Sequence, residues 1–494
     1  MQTSSVDALI DRCLLAPFPG HIPPAWFLRR IEHGLGGVCL FARNVASPDQ
    51  VTELVTTLRS ARPDVVVALD EEGGDVTRLH AAQGSPHAGH ATLGAADDVG
   101  LTRSVAHAIG AELAAAGIDV DLAPCLDVNS DAGNPVIGVR SFGADPHLVA
   151  RHGIAFIEGL HDAGVRACVK HFPGHGDTTV DSHLELPTIM VGADVLWERE
   201  LVPFEAAIAA GVDAVMPSHL LVPALDSAPA TVSPRLLGEV LRGELGFAGA
   251  VVTDALDMRG IARDGGMPVA AVHALAAGAD LCCLGAVADA EDLSAVHHAI
   301  AGALAAGRLT EDRLTEAAGR SARLRATAAR PTGGFPRADT QATDASCAAA
   351  RRALRVEGSL PAGLRAPLVV ICRPPANIAV GAVPWGPAAD ILARDPSAET
   401  LDAGPETSAA SVLATARERP LVVVTREAHR HPWQDALVAA LSRSRPGLVE
   451  VEMGWPAPRR NADAGWPRLL TFGAARVNAT AAAAALAGEV RAWR

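Results

Sequence analysis

The chain has no tyrosine and a single lysine, Lys170, among its 494 residues; the other 41 of its 42 lysine-plus-arginine residues are arginine. The bias towards Ala, Gly and Arg reflects base composition and not chemistry, which makes the solitary lysine conspicuous. Positive charge is outweighed, with a formal net charge of −14. A strongly acidic chain repels phosphate backbones, so nucleic acid is not an expected partner. Long apolar runs are missing too. No stretch reaches the ~18 residues that a membrane-spanning helix needs, so no membrane partner is expected. The opening "MQTSSVDALIDRCLLAPFPG" carries acidic residues and Arg12 where a secretory signal needs a basic start and a clean apolar core, so a cytoplasmic location is expected. The eight cysteines lack CxxC-type spacing and sit mostly in apolar runs such as "GGVCLF" and "DLCCLG". They read as buried free thiols of a reducing compartment, not as a metal cluster. No metal or cofactor is expected.

What is present is a recurring alternation. Eight nearly continuous apolar runs of strand length occur at 12–18, 36–41, 64–70, 118–128, 165–172, 212–219, 249–256 and 279–285. Strands buried on both faces read this way. Amphipathic, Ala-rich stretches such as "SVAHAIGAELAAAG" lie between many of them. Alternating β and α elements predict a parallel sheet, and eight units in about 300 residues predict a (β/α)8 TIM-type barrel. Several runs end in charge or imidazole: Asp70, Asp127, Lys170 with His171, His219 and Asp254. In a barrel these carboxyl ends share one mouth. A doubly wound open sheet is the alternative, but no GxGxxG follows the first strand.

The length exceeds one core and predicts at least two domains. The Pro-, Gly-, Thr- and Asp-rich stretch 326–346 has no apolar period and reads as a linker. The catalytic barrel is therefore expected over 1–325, and a smaller α/β layered domain over 347–494. Strands are predicted at "APLVVICRP", "RPLVVVTRE", "GLVEVEMGWP" and the start of "RLLTFGAARV", with a helix at "PWQDALVAALS". The second domain holds no cluster of catalytic residue types. Its nearest candidates are His429 and His431, read as exposed loop histidines.

Proton-active groups concentrate in "VKHFPGHGDTTVDSHLELP", residues 169–187. Pro173, Gly174 and Gly176 prevent regular structure from continuing, so a loop over the barrel mouth is expected. Asp181 and His183 are two residues apart and face the same way in extended backbone. A carboxylate bonded to a ring N–H fixes the tautomer and raises the imidazole pKa from about 6.5, which suits a proton donor and acceptor near neutral pH. The same pair could simply staple the loop. A metal is the other reading, since His171, His175, Asp177, Asp181 and His183 are all ligand types. However, the first strand lacks an HxH and the loop spacing matches no familiar ligand ladder. A reaction partner is available in "VVTDALDM", where Asp254 follows a buried strand directly. An ionised aspartate opposite a protonated histidine suits double displacement at an acetal carbon.

The loop motif together with "VVTDALDM", "ALDEEGGDVTRL", "APCLDVN", "NPVIGVRSFGADP" and "LVPFEAAIAAGVDAVMPSHL" resembles glycoside hydrolase family 3, in its bacterial β-N-acetylglucosaminidase branch. The matching stretches span most of residues 10–320, and the second domain is similar to that of two-domain members. The resemblance implies a (β/α)8 barrel and a retaining mechanism. It assigns Asp254 as nucleophile, His183 as acid/base and Asp181 as its dyad partner. It also assigns Asp70, Arg78, Arg140, Lys170 and His171 to the sugar hydroxyls. The implied partner is a small carbohydrate with terminal β-linked N-acetylglucosamine, from peptidoglycan fragments or chito-oligosaccharides. Phosphorolysis with the same nucleophile, a β-glucosidase activity and a catalytically silent sugar-binding protein are the alternatives. The oligomeric state is not legible. One departure stands out. The family's usual Asp-Gln-Glu-Gly-Gly-Arg reads "DEEGGD" here, with Glu71 for Gln and Asp75 for Arg. Two added negative charges near Asp70 are expected to favour a neutral or cationic aglycone.

Overall fold

The computed structural model describes residues 6–182, 185–262, 265–325, 341–361, 363–458 and 465–490. Eight short strands form a parallel sheet: β1 (Leu14–Ala16), β2 (Gly37–Leu40), β3 (Val66–Leu69), β4 (Val120–Asp121), β5 (Arg166–Phe172), β6 (Ala214–Pro217), β7 (Ala250–Val251) and β8 (Cys282–Cys283). Each lies inside one of the eight apolar runs. The order runs from β7 in sequence down to β1 and then β8. A parallel bridge between Val252 and Leu281 joins the two ends, so the sheet closes into a (β/α)8 barrel.

The barrel interior is filled by every second residue: Val66 and Ala68, Val120 and Leu122, Ala214 and Met216, Ala250 and Val252, Leu281 and Cys283, all buried. This is the strand period of two applied to a closed sheet. Cys39 and Cys168 belong to the same cluster, so the apolar setting of the cysteines has a packing cause. All eight thiols are free and seven are buried. Burial pushes the Cys13 thiol up to about 12, despite the opposing Arg313 charge. Helices between strands start where the sequence supplies caps. Ser47 accepts from Gln50 N ahead of Pro48, and Asp145 accepts from His147 N and Leu148 N ahead of Pro146. No described helix is long and apolar enough to cross a membrane.

A second sheet has six strands: β9 (Arg355–Glu357), β10 (Leu368–Cys372), β11 (Glu399–Ala403), β12 (Leu421–Thr425), β13 (Val449–Glu452) and β14 (Arg468–Leu470). Their order is β11-β10-β12-β13-β14-β9, parallel except for antiparallel β9 at one edge. The four predicted strands are β10, β12, β13 and β14. The sequence reading missed β9 and β11, the two edge strands, whose residues are mostly part-exposed or exposed.

The chain forms two compact units, and their division differs from a cut at one linker. The first holds residues up to 72, 102–137 and 144–337; the second holds 73–101, 138–143 and 338–494. Two short segments from the barrel half of the sequence thus pack with the C-terminal sheet. The expected linker 326–346 lies outside the described residues up to 340. From 341 it is already helix (Gln341–Ala353), which packs on helix His90–Ala96 through buried Ala349, Ala350 and Ala353.

Candidate active site

In the first unit, the polar ends of the strand runs carry the predicted residues. Asp70 directly follows β3, Lys170 and His171 lie within β5, and Asp254 follows β7. Two of them meet. Lys170 Nζ lies 2.6 Å from Asp70 Oδ1 and 2.8 Å from Glu72 Oε1, with the lysine side chain only 2% exposed. An ammonium has three donor directions and tolerates this crowding, whereas a planar guanidinium needs a fork of acceptors in one plane. Beside them, Asp121 on β4 accepts from Glu71 N at 2.9 Å. Burial raises the Asp121 pKa well above its usual value; the Glu71 charge adds to this, and Lys170 and the Glu71 N–H work against it.

His171 is organised by Asp127, just after β4. Its Nδ1 donates to Asp127 Oδ2 at 2.7 Å. The other carboxylate oxygen accepts from the backbone N–H of His175 at 2.6 Å and of His171 at 3.2 Å. Burial alone would raise the Asp127 pKa. The His171 charge and hydrogen bond outweigh it and hold the carboxyl well below the usual range. Cys125 Sγ also donates to Oδ2, at 3.0 Å. Cys125, Asp127 and His171 bring one potential ligand atom each within 4.8 Å of one another. Both the thiol and the ring direct a donor at the same carboxylate, which is hydrogen-bonding geometry.

The Pro-Gly-His-Gly turn packs closely on this network. A Cβ on Gly176 would sit 1.7 Å from Val128 O, so only glycine fits there. His175 between the glycines is 1% exposed, and neither ring nitrogen has a hydrogen-bond partner among the described residues. Burial lowers its pKa to about 4, although the charges of Asp127 and Asp254 pull the other way. Behind the turn, Arg199 bridges Asp177 and Glu200 at 2.5 and 2.7 Å. Asp254 is half-buried, and its Oδ1 accepts from Ala255 N at 2.7 Å. Asp181 is half-buried, and its backbone carbonyl accepts from Glu185 N at 3.0 Å. His183, the expected acid/base, lies outside the described residues.

The remaining two candidates belong to the second unit. Arg78 Nη2 donates to the Ala379 carbonyl at 3.1 Å. Arg140 is buried, and its carbonyl is 2.6 Å from His90 Nδ1. Asp75 also lies in this unit. Its Oδ2 is 2.5 Å from Arg426 Nη2, and its Oδ1 accepts from Ala474 N at 2.8 Å. Its charge is therefore neutralised within the fold. Glu71 is fully buried. Of the two charges on which the expected aglycone preference rests, that of Asp75 is thus paired with Arg426.

A family profile described as "Glycosyl hydrolase family 3 N terminal domain" matches residues 30–324. The chain belongs to this family. Among curated relatives, beta-hexosaminidase A of Pseudoalteromonas piscicida is 38% identical over 286 residues, covering 53% of this chain and 48% of its own length. The chain thus spans about half the length of that relative. The beta-hexosaminidase of Methylococcus capsulatus is 41% identical over 248 residues, covering 50% of this chain and 74% of its own. A solved glycoside hydrolase family 3 beta-N-acetylglucosaminidase from Paenibacillus sp. str. FPU-7 is similar across both units. It has a TM-score of 0.89 and 32% identity, covering 99% of this chain and 97% of that one.

The strand-end pattern in the sequence names Asp127, though not as the partner of His171, and it does not name Glu72. Asp127 is legible because it closes the fourth apolar run as Asp70 closes the third. Glu72 is not, because a charged residue beyond a strand end is ordinary loop composition.

Proposed function

We propose that the enzyme is a retaining, exo-acting β-N-acetylglucosaminidase that removes terminal β-linked N-acetylglucosamine from chito-oligosaccharides or peptidoglycan fragments. The observation that carries this reading is the set of strand ends: Asp254 after β7, with the Lys170–Asp70 and His171–Asp127 pairs on β3 to β5 of the same barrel. Barrel enzymes build their sites at this face. The names of the two beta-hexosaminidases and of the beta-N-acetylglucosaminidase support the sugar class.

Asp254 attacks the anomeric carbon while protonated His183 gives its proton to the glycosidic oxygen. The aglycone leaves as an alcohol, and the sugar stays esterified to Asp254. His183, now neutral, takes a proton from water as that water attacks the same carbon and frees the carboxylate. Asp181 orients the His183 ring. Asp70, Lys170 and His171 hold sugar hydroxyls, and Arg78 and Arg140 are assigned the same task by the resemblance. Lys170 fits this role because its charge is set by Asp70 and Glu72 before substrate arrives, which keeps the donor geometry preorganised.

The test is turnover of 4-nitrophenyl N-acetyl-β-glucosaminide, with and without inorganic phosphate. Asp254→Ala is expected to lower kcat by about 10⁴-fold or more. A slow fluorosugar is expected to label Asp254 in the intact enzyme, as seen by peptide mass spectrometry. Near-normal turnover by the Asp254→Ala variant, or a label on another residue, refutes the assignment. Free sugar as the product under both conditions separates hydrolysis from phosphorolysis.

A further inference from the structure

The second sheet has a topological switch point between β10 and β12. The chain leaves β10 towards β11 on one side and leaves β12 towards β13 on the other. In open α/β sheets, the crevice outside the carboxyl ends of two such strands is where ligands bind. Here Arg426 immediately follows β12, and the connection after β10 supplies Val380, Val383, Pro384 and Trp385 to the same hollow. The hollow is also lined by Gly74, Asp75, Gly84 and Ser85 of the same unit. One wall of the crevice is thus built by a segment of this chain from outside the sheet.

The fit is specific at three points. Arg426 grips Asp75, whose side chain is 2% exposed. Arg426 is itself fixed, because its guanidinium lies 5.2 Å from the Trp385 ring centroid and its backbone N–H and carbonyl both bond the Gln434 side chain. Gly84 has a φ of +82°, and a Cβ there would come within 3.0 Å of Pro384 O. Between these two anchors stands Arg78, with its Nη2 donating to the Ala379 carbonyl of the same β10 connection. A charge-assisted pair three residues before Arg78, a glycine contact six residues after it and a direct carbonyl contact leave the arginine little freedom. An unanchored arginine would have to lose several rotatable bonds of freedom on meeting substrate.

We propose that Arg426, acting through Asp75, is a positioning residue for Arg78, so that the switch-point crevice of the second sheet serves substrate binding without holding substrate. This rests on the reading of Arg78 as a sugar-binding residue. The experiment is a double-mutant cycle in the full-length enzyme with the aryl glucosaminide, following kcat, KM and thermal unfolding. Arg426→Ala is expected to raise KM about fivefold while kcat changes by less than about twofold, the signature of lost binding and not of lost chemistry. Arg78→Ala is expected to raise KM by at least as much. Adding Arg426→Ala to Arg78→Ala is expected to raise KM no further, because both act on one group. The exchanged pair Asp75→Arg/Arg426→Asp is expected to recover most of the KM lost in Arg426→Ala. If the Arg426→Ala protein does not fold, Asp75→Asn takes its place in the cycle. An unchanged KM with a lowered unfolding temperature in Arg426→Ala, or KM effects that multiply in the double variant, overturns the proposal. An unchanged KM in Arg78→Ala instead removes the sugar-binding reading on which it rests.

Discussion

His171 Nδ1 and Asp127 Oδ2 lie 2.7 Å apart beneath the carboxyl ends of β4 and β5, with both residues buried. The carboxylate accepts a hydrogen bond from Nδ1–H, which leaves Nε2 as the ring's other functional nitrogen. It also gathers the backbone N–H groups of His171 and His175, so one side chain sets the ring and the start of the following turn together.

Asp127→Asn is therefore expected to disturb more than one contact. The amide keeps its size but loses the charge, and one of its two faces now donates where donors already converge. A lost charged hydrogen bond is worth about 1.5–3 kcal/mol, or about 10- to 100-fold in kcat/KM if the ring is misoriented. Steady-state kinetics alongside the unfolding midpoint check this. A variant with wild-type kcat/KM would show that the ring orientation is set elsewhere.

Lys170→Arg keeps the charge but brings a broad planar fork to a position where the side chain is only 2% exposed. The fork cannot meet Asp70 and Glu72 from the same strand position without displacing one of them. KM is expected to rise about tenfold with a smaller change in kcat. Lys170→Met removes the cation altogether and leaves two carboxylates without it, which is expected to lower stability by about 3–5 kcal/mol. Denaturant titration of the two variants, set against their kinetics, measures both effects.

His175 gives the fold a pH dependence of definite sign. Its folded pKa is about 4, against 6.5 for the free side chain. Below 6.5 the unfolded chain takes up a proton that the folded state refuses, so stability is lost as pH falls from 6.5 towards 4. The expected loss is about 3 kcal/mol over that window. His175→Gln, which cannot titrate, is expected to flatten this part of the stability–pH curve. Chemical denaturation at pH 7 and pH 4.5 gives the comparison, and equal slopes for the two proteins would show that another group is responsible.

The barrel was readable because its strands are buried on both faces, which leaves near-continuous runs of Val, Leu, Ile, Ala and Cys bounded by charge. The strand-end pattern put Asp70, Asp127, Lys170, His171 and Asp254 at or beyond the carboxyl ends of strands for a similar reason: a charged residue closing an apolar run has few places to go except the mouth. Edge strands β9 and β11 were hidden, because one flank lacks a neighbour and half their residues can be polar. The Asp75–Arg426 pair was hidden by distance along the chain. Its members are 351 residues apart, and no local pattern distinguishes a paired aspartate from an exposed one. The same limit turned Asp75 from a presumed source of negative charge into half of an ion pair.

The division of the chain into two interleaved units also bears on how it is made. Residues 73–101 and 138–143 leave the ribosome early, whereas the sheet with which they pack is complete only once β14 has been synthesised. The barrel strands on either side can pair as they emerge, but the contacts of these two segments with the second sheet must wait for the end of translation. The nascent protein thus carries a stretch of apolar helix, His90–Ala96, that meets Arg140 and Phe142 early but the helix Gln341–Ala353 only late. Vectorial synthesis thus leaves the apolar face that meets that late helix uncovered until the chain is nearly complete.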